Sequence, residues 1–342
     1  MFPHFKVAST DLFGGDGSEF TDMHFMALFP TNPSATPVLL LHGWPGSFLE
    51  FIPLITLLRQ KYPDPAQLPY HIIVPSLLGF GFSDPFPVGY DCGIEEVADY
   101  MSDLMSLARG FKNYVVQGGD IGSRVARYMA VKYPSCVAAL LNYSPVPLPP
   151  GMSTDTLTED EKRGLARGDQ FRTDGCAYAL MHATRPSTIG LVLSTSPLAL
   201  LAWIAEKFLD WTDPASFPHD SVLEGSGTPY SRKLMDQILL SISLYWLTGM
   251  AHTSLYAYRE VFTMGGKPAP SSHASPEYHI AAPKMLGFSY FPMEVAPTPE
   301  KWIETSGNSV FWKKHAKGGH FAAFEQPIAI LGDLEEFIEV FI

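Results

Sequence analysis

The pentapeptide Gly-Gly-Asp-Ile-Gly at positions 118–122 constrains the fold of this chain more than any other part of the sequence. It follows the apolar residues 114–116 and precedes a helical pattern that begins near Ser123, which predicts a strand, a sharp turn and a helix. Glycine on both sides of the turn permits a strained backbone that projects the middle residue outward. An acidic helix cap in a tight glycine loop is the alternative, and this segment alone leaves it open.

Asp120, the middle residue, occupies the position of the nucleophile in such an elbow, where serine is the usual residue. A carboxylate nucleophile forms an ester with its substrate, so that substrate must offer an electrophilic sp³ carbon. Epoxides and alkyl halides meet this condition. The sequence therefore predicts covalent chemistry at Asp120, which requires a base and an orienting acid elsewhere in the chain.

Composition narrows the classes of protein to which the chain can belong. With 342 residues, of which 46% are hydrophobic and 17% charged, the chain can form one large domain or a core with an inserted subdomain. The net charge of −12 disfavours binding to nucleic acid and to anionic membranes. No His-Glu-x-x-His or Cys-x-x-Cys motif occurs, so we expect neither a metal nor an organic cofactor.

Cysteine usage and the N-terminal sequence indicate a reducing compartment. Cys92, Cys136 and Cys176 are odd in number and lack metal-ligand spacing, which favours free thiols. The first residues lack the charged and apolar regions of a signal peptide, and no apolar run is as long as a membrane span. We therefore predict a soluble, cytoplasmic protein without a membrane anchor.

Strands and helices are predicted to alternate over much of the chain, which is typical of a parallel sheet covered by helices. Residues 6–35 indicate an early antiparallel hairpin with a turn at 13–17. The later predicted strands are 38–41, 71–74, 114–117, 137–141, 285–291 and 309–312, and the predicted helices are 48–60, 94–110, 123–133 and one from about 327. Residues 148–280 interrupt this alternation with helical patterns. We therefore predict an α/β protein with a mostly parallel central sheet, made of a first core part (1–147), an inserted helical cap (148–280) and a second core part (281–342).

The loop His-Gly-Trp-Pro-Gly-Ser at 42–47 follows a predicted buried strand. Loops at the carboxyl ends of parallel strands are where α/β proteins place ligand contacts. Pro45 permits a cis peptide bond after Trp44, which would aim backbone N–H groups into a site. A plain glycine-proline turn is the alternative interpretation.

A base and an acid are predicted towards the C-terminus. His320 lies in a small-residue loop after the last predicted strand, where a histidine is expected to follow the nucleophile and the acid. His315, upstream among lysines, is interpreted as a solvated surface residue. Glu294 follows the strand at 285–291, whereas the other loop that could supply the acid, 142–144, contains no carboxylate. A structural histidine and a solvated glutamate are the alternatives for these two residues.

Several segments taken together resemble one enzyme family. Three of them are the 42–47 loop, the 118–122 elbow and Gly-His-Phe-Ala-Ala at 319–323. Others lie in the predicted cap, at 178–188, 200–208, 245–248 and 258–260. Over nearly its whole length the chain resembles the epoxide hydrolases of the α/β-hydrolase superfamily, specifically the microsomal-type branch with its soluble fungal members. The resemblance implies an α/β-hydrolase fold with Asp120 as nucleophile, His320 as base, Glu294 as orienting acid, and Tyr178 and Tyr258 as lid acids.

The chemistry of epoxide opening independently calls for such groups. Ring opening leaves an alkoxide, and two phenol groups such as those of Tyr178 and Tyr258 can hydrogen-bond that oxygen and share its proton. Water activated by the histidine then hydrolyses the ester. The resulting oxyanion needs donors, and the backbone N–H groups of Trp44 and Ile121 are the predicted ones.

The chain departs from this branch at its start. Members of the branch carry a further N-terminal segment, which anchors the microsomal forms and wraps the core and lid of the soluble ones. This chain begins almost directly at Phe2, so we expect it to lack the anchor. The resemblance therefore does not define how the lid packs or which substrates the protein accepts. It also does not decide whether the protein forms a homodimer.

Other functions stay open on the sequence alone. Haloalkane dehalogenation uses the same ester, but that family places tryptophan directly after the nucleophile, where this chain has Ile121. An ordinary esterase is disfavoured because no Gly-x-Ser-x-Gly occurs. Besides hydrolysis in detoxification, epoxide-opening cyclisation in secondary metabolism would use the same site, with a substrate hydroxyl in place of water. A non-catalytic ligand-binding protein of this fold is the fourth alternative, although every predicted triad and lid residue is present.

Overall fold

An eight-stranded sheet forms the centre of the protein. The structure is a computed structural model, which describes residues 2–8, 22–86, 93–108, 110–217, 231–261 and 273–340. The strand order is β1-β2-β4-β3-β5-β6-β7-β8. The strands are β1 (His4–Val7), β2 (Met23–Leu28), β3 (Thr36–Leu41), β4 (Tyr70–Pro75), β5 (Tyr114–Gly118), β6 (Cys136–Leu141), β7 (Met285–Tyr290) and β8 (Ser309–Lys314). Strands β1, β2 and β4 pair antiparallel in that order, and every later pair is parallel. The predicted α/β fold with a mostly parallel sheet is confirmed.

The central strands are apolar runs because both of their faces are covered. In β3, the side chains of Leu39 and Leu41 belong to one hydrophobic cluster, while those of Val38 and Leu40 belong to a second cluster. Successive side chains of a strand point to opposite faces, so the two clusters lie on opposite sides of the sheet. A strand buried in this way needs no polar residue in its interior, and β3 has none.

Helices cover both faces of the sheet. In the first part of the chain they are α1 (Ile52–Lys61), α2 (Ile94–Asp103) and α3 (Asp120–Lys132). A 3₁₀ turn at Phe48–Phe51 precedes α1, and a π turn at Leu104–Ala108 follows α2, so two predicted helices each consist of two kinds of helical turn. Helix α3 begins at Asp120, three residues before the predicted start, because the backbone turns into the helix directly at the elbow.

Six α-helices lie between β6 and β7 in the part of the chain that the structure describes, and we refer to them as the cap helices. They are α4 (Glu159–Gln170), α5 (Ala177–Thr184), α6 (Pro186–Leu193), α7 (Pro197–Trp211), α8 (Arg232–Thr248) and α9 (Tyr258–Val261). After β7 follow α10 (Glu300–Glu304), α11 (Ala322–Glu325) and α12 (Pro327–Glu339). The division of the chain at residues 148 and 280 stays a prediction.

None of the described helices is by itself both long and apolar enough to cross a membrane. Two consecutive helical pairs of the cap reach that length and apolarity only when they are joined across bends of 115° and 111°.

The predictions for the early hairpin and the cysteines are tested only in part, and the one for His315 is contradicted. The early hairpin is present as β1 and β2, but its predicted turn at 13–17 lies outside the described residues. Cys136 and Cys176 carry free thiols, and Cys92 also lies outside the described residues. The interpretation of His315 as a solvated residue is wrong.

His315 is largely buried by a ring contact and an ion pair. Its imidazole stacks on Phe291 with ring centroids 4.7 Å apart. Its Nε2 lies 2.6 Å from Oδ2 of Asp333, a carboxylate of α12 that is fully buried. The sequence around His315 contains lysines but does not indicate that Asp333, on the later helix α12, is its partner.

Candidate active site

The elbow holds Asp120 in a backbone conformation that few residues adopt. Its φ is +47°, in the left-handed region, and it is the one non-glycine residue with positive φ among those described. A Cβ atom on Gly118 would collide with the carbonyl of Gly122, and one on Gly122 would collide with the carbonyl of Leu41. Glycine at both positions therefore permits the close approach of β5, α3 and the end of β3. This geometry projects the Asp120 carboxylate beyond the carboxyl edge of the sheet.

The 42–47 loop supplies a backbone donor to that carboxylate. The N–H of Trp44 donates to Oδ1 of Asp120 over 2.8 Å, and the peptide bond between Trp44 and Pro45 is cis. Nε2 of His42 accepts from the N–H of Leu77 over 3.1 Å, so its Nδ1 bears the hydrogen and faces the carbonyl of Gly43. Burial lowers the pKa of His42 to about 4, which keeps this ring neutral and the loop anchored.

His320 lies between two carboxylates. Nδ1 of its ring is 2.6 Å from Oε1 of Glu294, and Nε2 is 3.2 Å from Oδ2 of Asp120. Burial disfavours charge on the ring, but the two carboxylates outweigh burial and raise the pKa of His320 well above its usual value. Nε2 has no hydrogen-bond partner within the described structure, since its approach to Asp120 lacks hydrogen-bond geometry. It is therefore available to a water molecule.

The loop that carries His320 is fixed by a buried carboxylate that the sequence analysis missed. Oε2 of Glu325 accepts from the N–H of Gly319 over 3.0 Å, and Oε1 accepts from the N–H of Phe321 over 3.0 Å. These two N–H groups flank His320 on either side. The N–H of His320 itself donates to the carbonyl of Trp211, at the end of α7, over 2.9 Å. The histidine is thus held by both the core and the cap.

The two predicted lid tyrosines lie together above this site. Tyr178 is on α5 and Tyr258 on α9, and their hydroxyl oxygens are 3.4 Å apart. Burial and the nearby Asp120 carboxylate raise the pKa of Tyr178 well above its usual value. Burial and then Tyr178 itself do the same for Tyr258. Both phenols are therefore protonated at neutral pH and can donate hydrogen bonds.

A cavity of about 250 Å³ brings four of the predicted side chains together. Asp120 and His320 line it from the core, and Tyr178 and Tyr258 line it from the cap. Ile121, whose N–H lies in the first turn of α3 where helical N–H groups lack an intrahelical partner, also lines it. Glu294 stands behind His320 and is 2% exposed.

Tyr143 is a further lining residue that the sequence analysis missed. Its ring meets His320 edge to face, with centroids 5.6 Å apart. The sequence of the loop at 142–144 shows only that it contains no carboxylate. Its place after β6, at the carboxyl edge of the sheet, was the available signal for a residue of the site.

Glu50 is a further buried carboxylate near the nucleophile. It completes a capping box with Ser47, whose N–H donates to its Oε1 over 3.1 Å. It also lines a small cavity of about 20 Å³ together with Asp120 and His320. A cavity of that size can hold one water molecule. Burial raises the pKa of Glu50 from 4.5 to about 8, so it is mainly protonated at neutral pH.

The Glu50→Gln substitution is expected to change how stability depends on pH. The folded protein keeps a proton on Glu50 that the unfolded chain loses above about pH 4.5, so its stabilising contribution is complete below that pH and is lost as pH rises through 8. Glutamine retains the acceptor for Ser47 and does not ionise. From pH 5 to pH 8, the free energy of unfolding of the variant should therefore rise relative to the native protein, on the order of 2–4 kcal/mol.

Urea denaturation at several pH values measures this difference. Glu277→Gln, a substitution at an exposed glutamate, is the matched control and should follow the native pH dependence. Parallel curves for Glu50→Gln and the native protein would mean that Glu50 is ionised in the folded state.

Comparison with known proteins agrees with this fold. Residues 36–228 match the family model of the α/β hydrolase fold, and residues 1–51 match the model of the epoxide hydrolase N terminus. The structure of the epoxide hydrolase of Aspergillus niger superposes with a TM-score of 0.85 at 42% identity, over 99% of this chain and 78% of that chain. A relative from Dothistroma septosporum is 40% identical over 95% of this chain and 71% of its own length. Epoxide hydrolase 1 of Sus scrofa is 32% identical over 98% of this chain and 74% of its own length.

The fold is that of the α/β hydrolases. Within that class, the chain belongs to the epoxide hydrolase family, whose members are hydrolases that act on ether bonds.

Proposed function

We propose that the protein converts a small-molecule epoxide and water into a vicinal diol through a covalent ester on Asp120. The observation that carries this proposal is the pairing of a projecting carboxylate with two protonated phenols across one cavity. Oδ2 attacks an epoxide carbon, and the carbon–oxygen bond of the ring breaks. The oxygen that is released takes a proton from the Tyr178 and Tyr258 pair, which leaves a hydroxyl on the alkyl ester.

The second step hydrolyses the ester by attack of water on the carboxyl carbon of Asp120. Ester formation removes the charge of Asp120, one of the two carboxylates that raise the pKa of His320, and the Nε2 proton passes to the phenolate. Glu294 still accepts the Nδ1 hydrogen, and the lone pair of Nε2 takes a proton from water. The hydroxide attacks the ester carbon, and the oxyanion forms at Oδ1, where Trp44 already donates. The N–H of Ile121 is the second proposed donor. When the intermediate collapses, the second diol oxygen leaves with the proton of the new carboxyl group, and the Asp120 carboxylate and the protonated His320 are restored together.

Isotope labelling of Asp120 tests this route. With enzyme in excess over epoxide in ¹⁸O-water, the first turnover should place one ¹⁸O in the carboxylate of Asp120 and leave the diol unlabelled. The reason is that water attacks the ester carbon, while the diol receives the former Oδ2. Mass spectrometry of the peptide that contains Asp120 measures the label, and enzyme kept in labelled water without epoxide is the control.

Other results would identify other chemistry. Label found in the diol after a single turnover would mean that water attacks the epoxide directly. An unlabelled cyclic ether in place of a diol would show that a substrate hydroxyl replaces water.

A further inference from the structure

A buried lysine lies against the ring of one of the two phenols. Lys207, on α7, has a side chain that is only 5% exposed. Its ammonium pairs with Glu206, whose own side chain is 60% exposed. Lysine is rarely buried to this extent unless its environment stabilises the charge. The position of Lys207 therefore requires an explanation beyond packing.

Two aromatic rings lie close to the ammonium group of Lys207. Nζ of Lys207 lies 4.8 Å from the ring centroid of Tyr178 and 5.6 Å from that of Trp203. A cation at such distances from an aromatic ring is attracted by the electron density of the ring face. The same attraction becomes stronger when the ring gains electron density, as a phenol does when its oxygen gives up a proton. Negative charge on Tyr178 would therefore strengthen its attraction to the ammonium group of Lys207.

The second phenol has different neighbours. The ring contacts of Tyr258 are with Trp44, Tyr178 and His182. Burial, followed by the charge of Lys207, lowers the pKa of His182 to about 3, so this imidazole is neutral. Nε2 of His182 also accepts from the indole N–H of Trp203 over 3.0 Å, which is consistent with a neutral ring. The two phenols therefore share the cavity but not the cation.

We propose that Lys207 is a positioning residue that makes Tyr178, rather than Tyr258, the main proton donor to the epoxide oxygen. The proposal rests on the function proposed above, in which both phenols bind that oxygen. Lys207 acts through the ring of Tyr178 and does not itself contact the substrate. In this arrangement Tyr258 orients the oxygen by a hydrogen bond, while Tyr178 takes the larger share of the negative charge.

Rapid-quench kinetics of a single turnover resolve ester formation from ester decay. Lys207→Met, which keeps an apolar stem and removes the charge, should slow ester formation roughly 3- to 30-fold, the range of cation–π effects. Ester decay should be unchanged, because it uses His320 and the backbone donors. Lys207→Arg restores the cation and should restore ester formation to within about threefold. Glu206→Gln is the matched control on the exposed partner and should leave both steps unchanged.

Combination with the tyrosine variants is the decisive measurement. In a Tyr178→Phe background the ring and its packing remain but no phenol proton exists, so Lys207→Met should have no further effect on ester formation. In a Tyr258→Phe background its full effect should persist. Equal slowing in both backgrounds, or equal slowing of both steps, would overturn the proposal and assign Lys207 a structural role. A Tyr178→Phe variant that forms the ester at the native rate would instead contradict the phenol's role in the proposed function.

Discussion

The His320→Gln protein is expected to form the Asp120 ester and to retain it. The substitution removes the base whose Nε2 lies 3.2 Å from Oδ2, while the nucleophile and both phenols remain in place. General-base catalysis typically contributes 10²- to 10⁴-fold, so ester hydrolysis should slow by roughly that factor while ester formation changes far less. Intact-mass spectrometry after addition of epoxide should show a stable adduct of the substrate's mass, located on the peptide that contains Asp120.

His315→Gln is the matched control for this experiment. It changes a histidine of the same segment, whose partner is Asp333 rather than a carboxylate of the site. Turnover by this variant should be normal and no adduct should accumulate, although its stability should fall because Asp333 is fully buried and loses a partner. If the folded His320→Gln protein were inactive and free of adduct, His320 would be needed before ester formation and the assigned order of steps would be wrong.

The parts of the site that could be predicted from the sequence are those that follow a strand. Asp120, Trp44, Glu294 and His320 each lie just beyond a strand of the parallel sheet, and the carboxyl ends of such strands meet at one edge. Local signals were therefore sufficient to propose that these residues converge, and the structure brings them together. Their chemical roles stay predictions until the experiments above are done.

Residues whose environment depends on distant contacts were missed. In the sequence, nothing distinguishes Glu50 and Glu325 from ordinary charged surface residues. In the structure both are buried, and each accepts a hydrogen bond from a backbone N–H group. Lys207 is buried against the ring of Tyr178, which another cap helix supplies. Tertiary neighbours bury such a residue and set its protonation state, and no short stretch of sequence specifies those neighbours. His315 was misinterpreted for the same reason.

The cap tyrosines fall between these two cases. Periodicity did not distinguish Tyr178 and Tyr258 from packing residues, and only the family resemblance separated them from other aromatic residues of the cap. In the structure their hydroxyls are 3.4 Å apart over the cavity that Asp120 lines. Because both are buried and protonated, either can donate to an oxygen placed between them.

Replacing both tyrosines is expected to have a larger effect on ester formation than replacing either one. Loss of one donor to a developing negative charge typically costs about 2.7–4 kcal/mol, or roughly a hundred- to a thousandfold in rate. Because Tyr178 and Tyr258 share one oxygen, the remaining phenol should compensate in part for a single Phe substitution. The double variant should therefore lose nearly all ester formation, by more than either single variant alone.

Single-turnover measurement of both steps separates this effect from general damage. The Tyr178→Phe, Tyr258→Phe protein should still hydrolyse a preformed Asp120 ester, because that step uses His320 and the N–H of Trp44. Tyr245→Phe is the control, since its hydroxyl donates to the carbonyl of Gly46 over 2.8 Å and its loss should affect stability more than ester formation. If the double variant formed the ester at close to the native rate, both phenols would be packing residues. Stabilisation of the leaving oxygen would then have to come from another donor that lines the cavity.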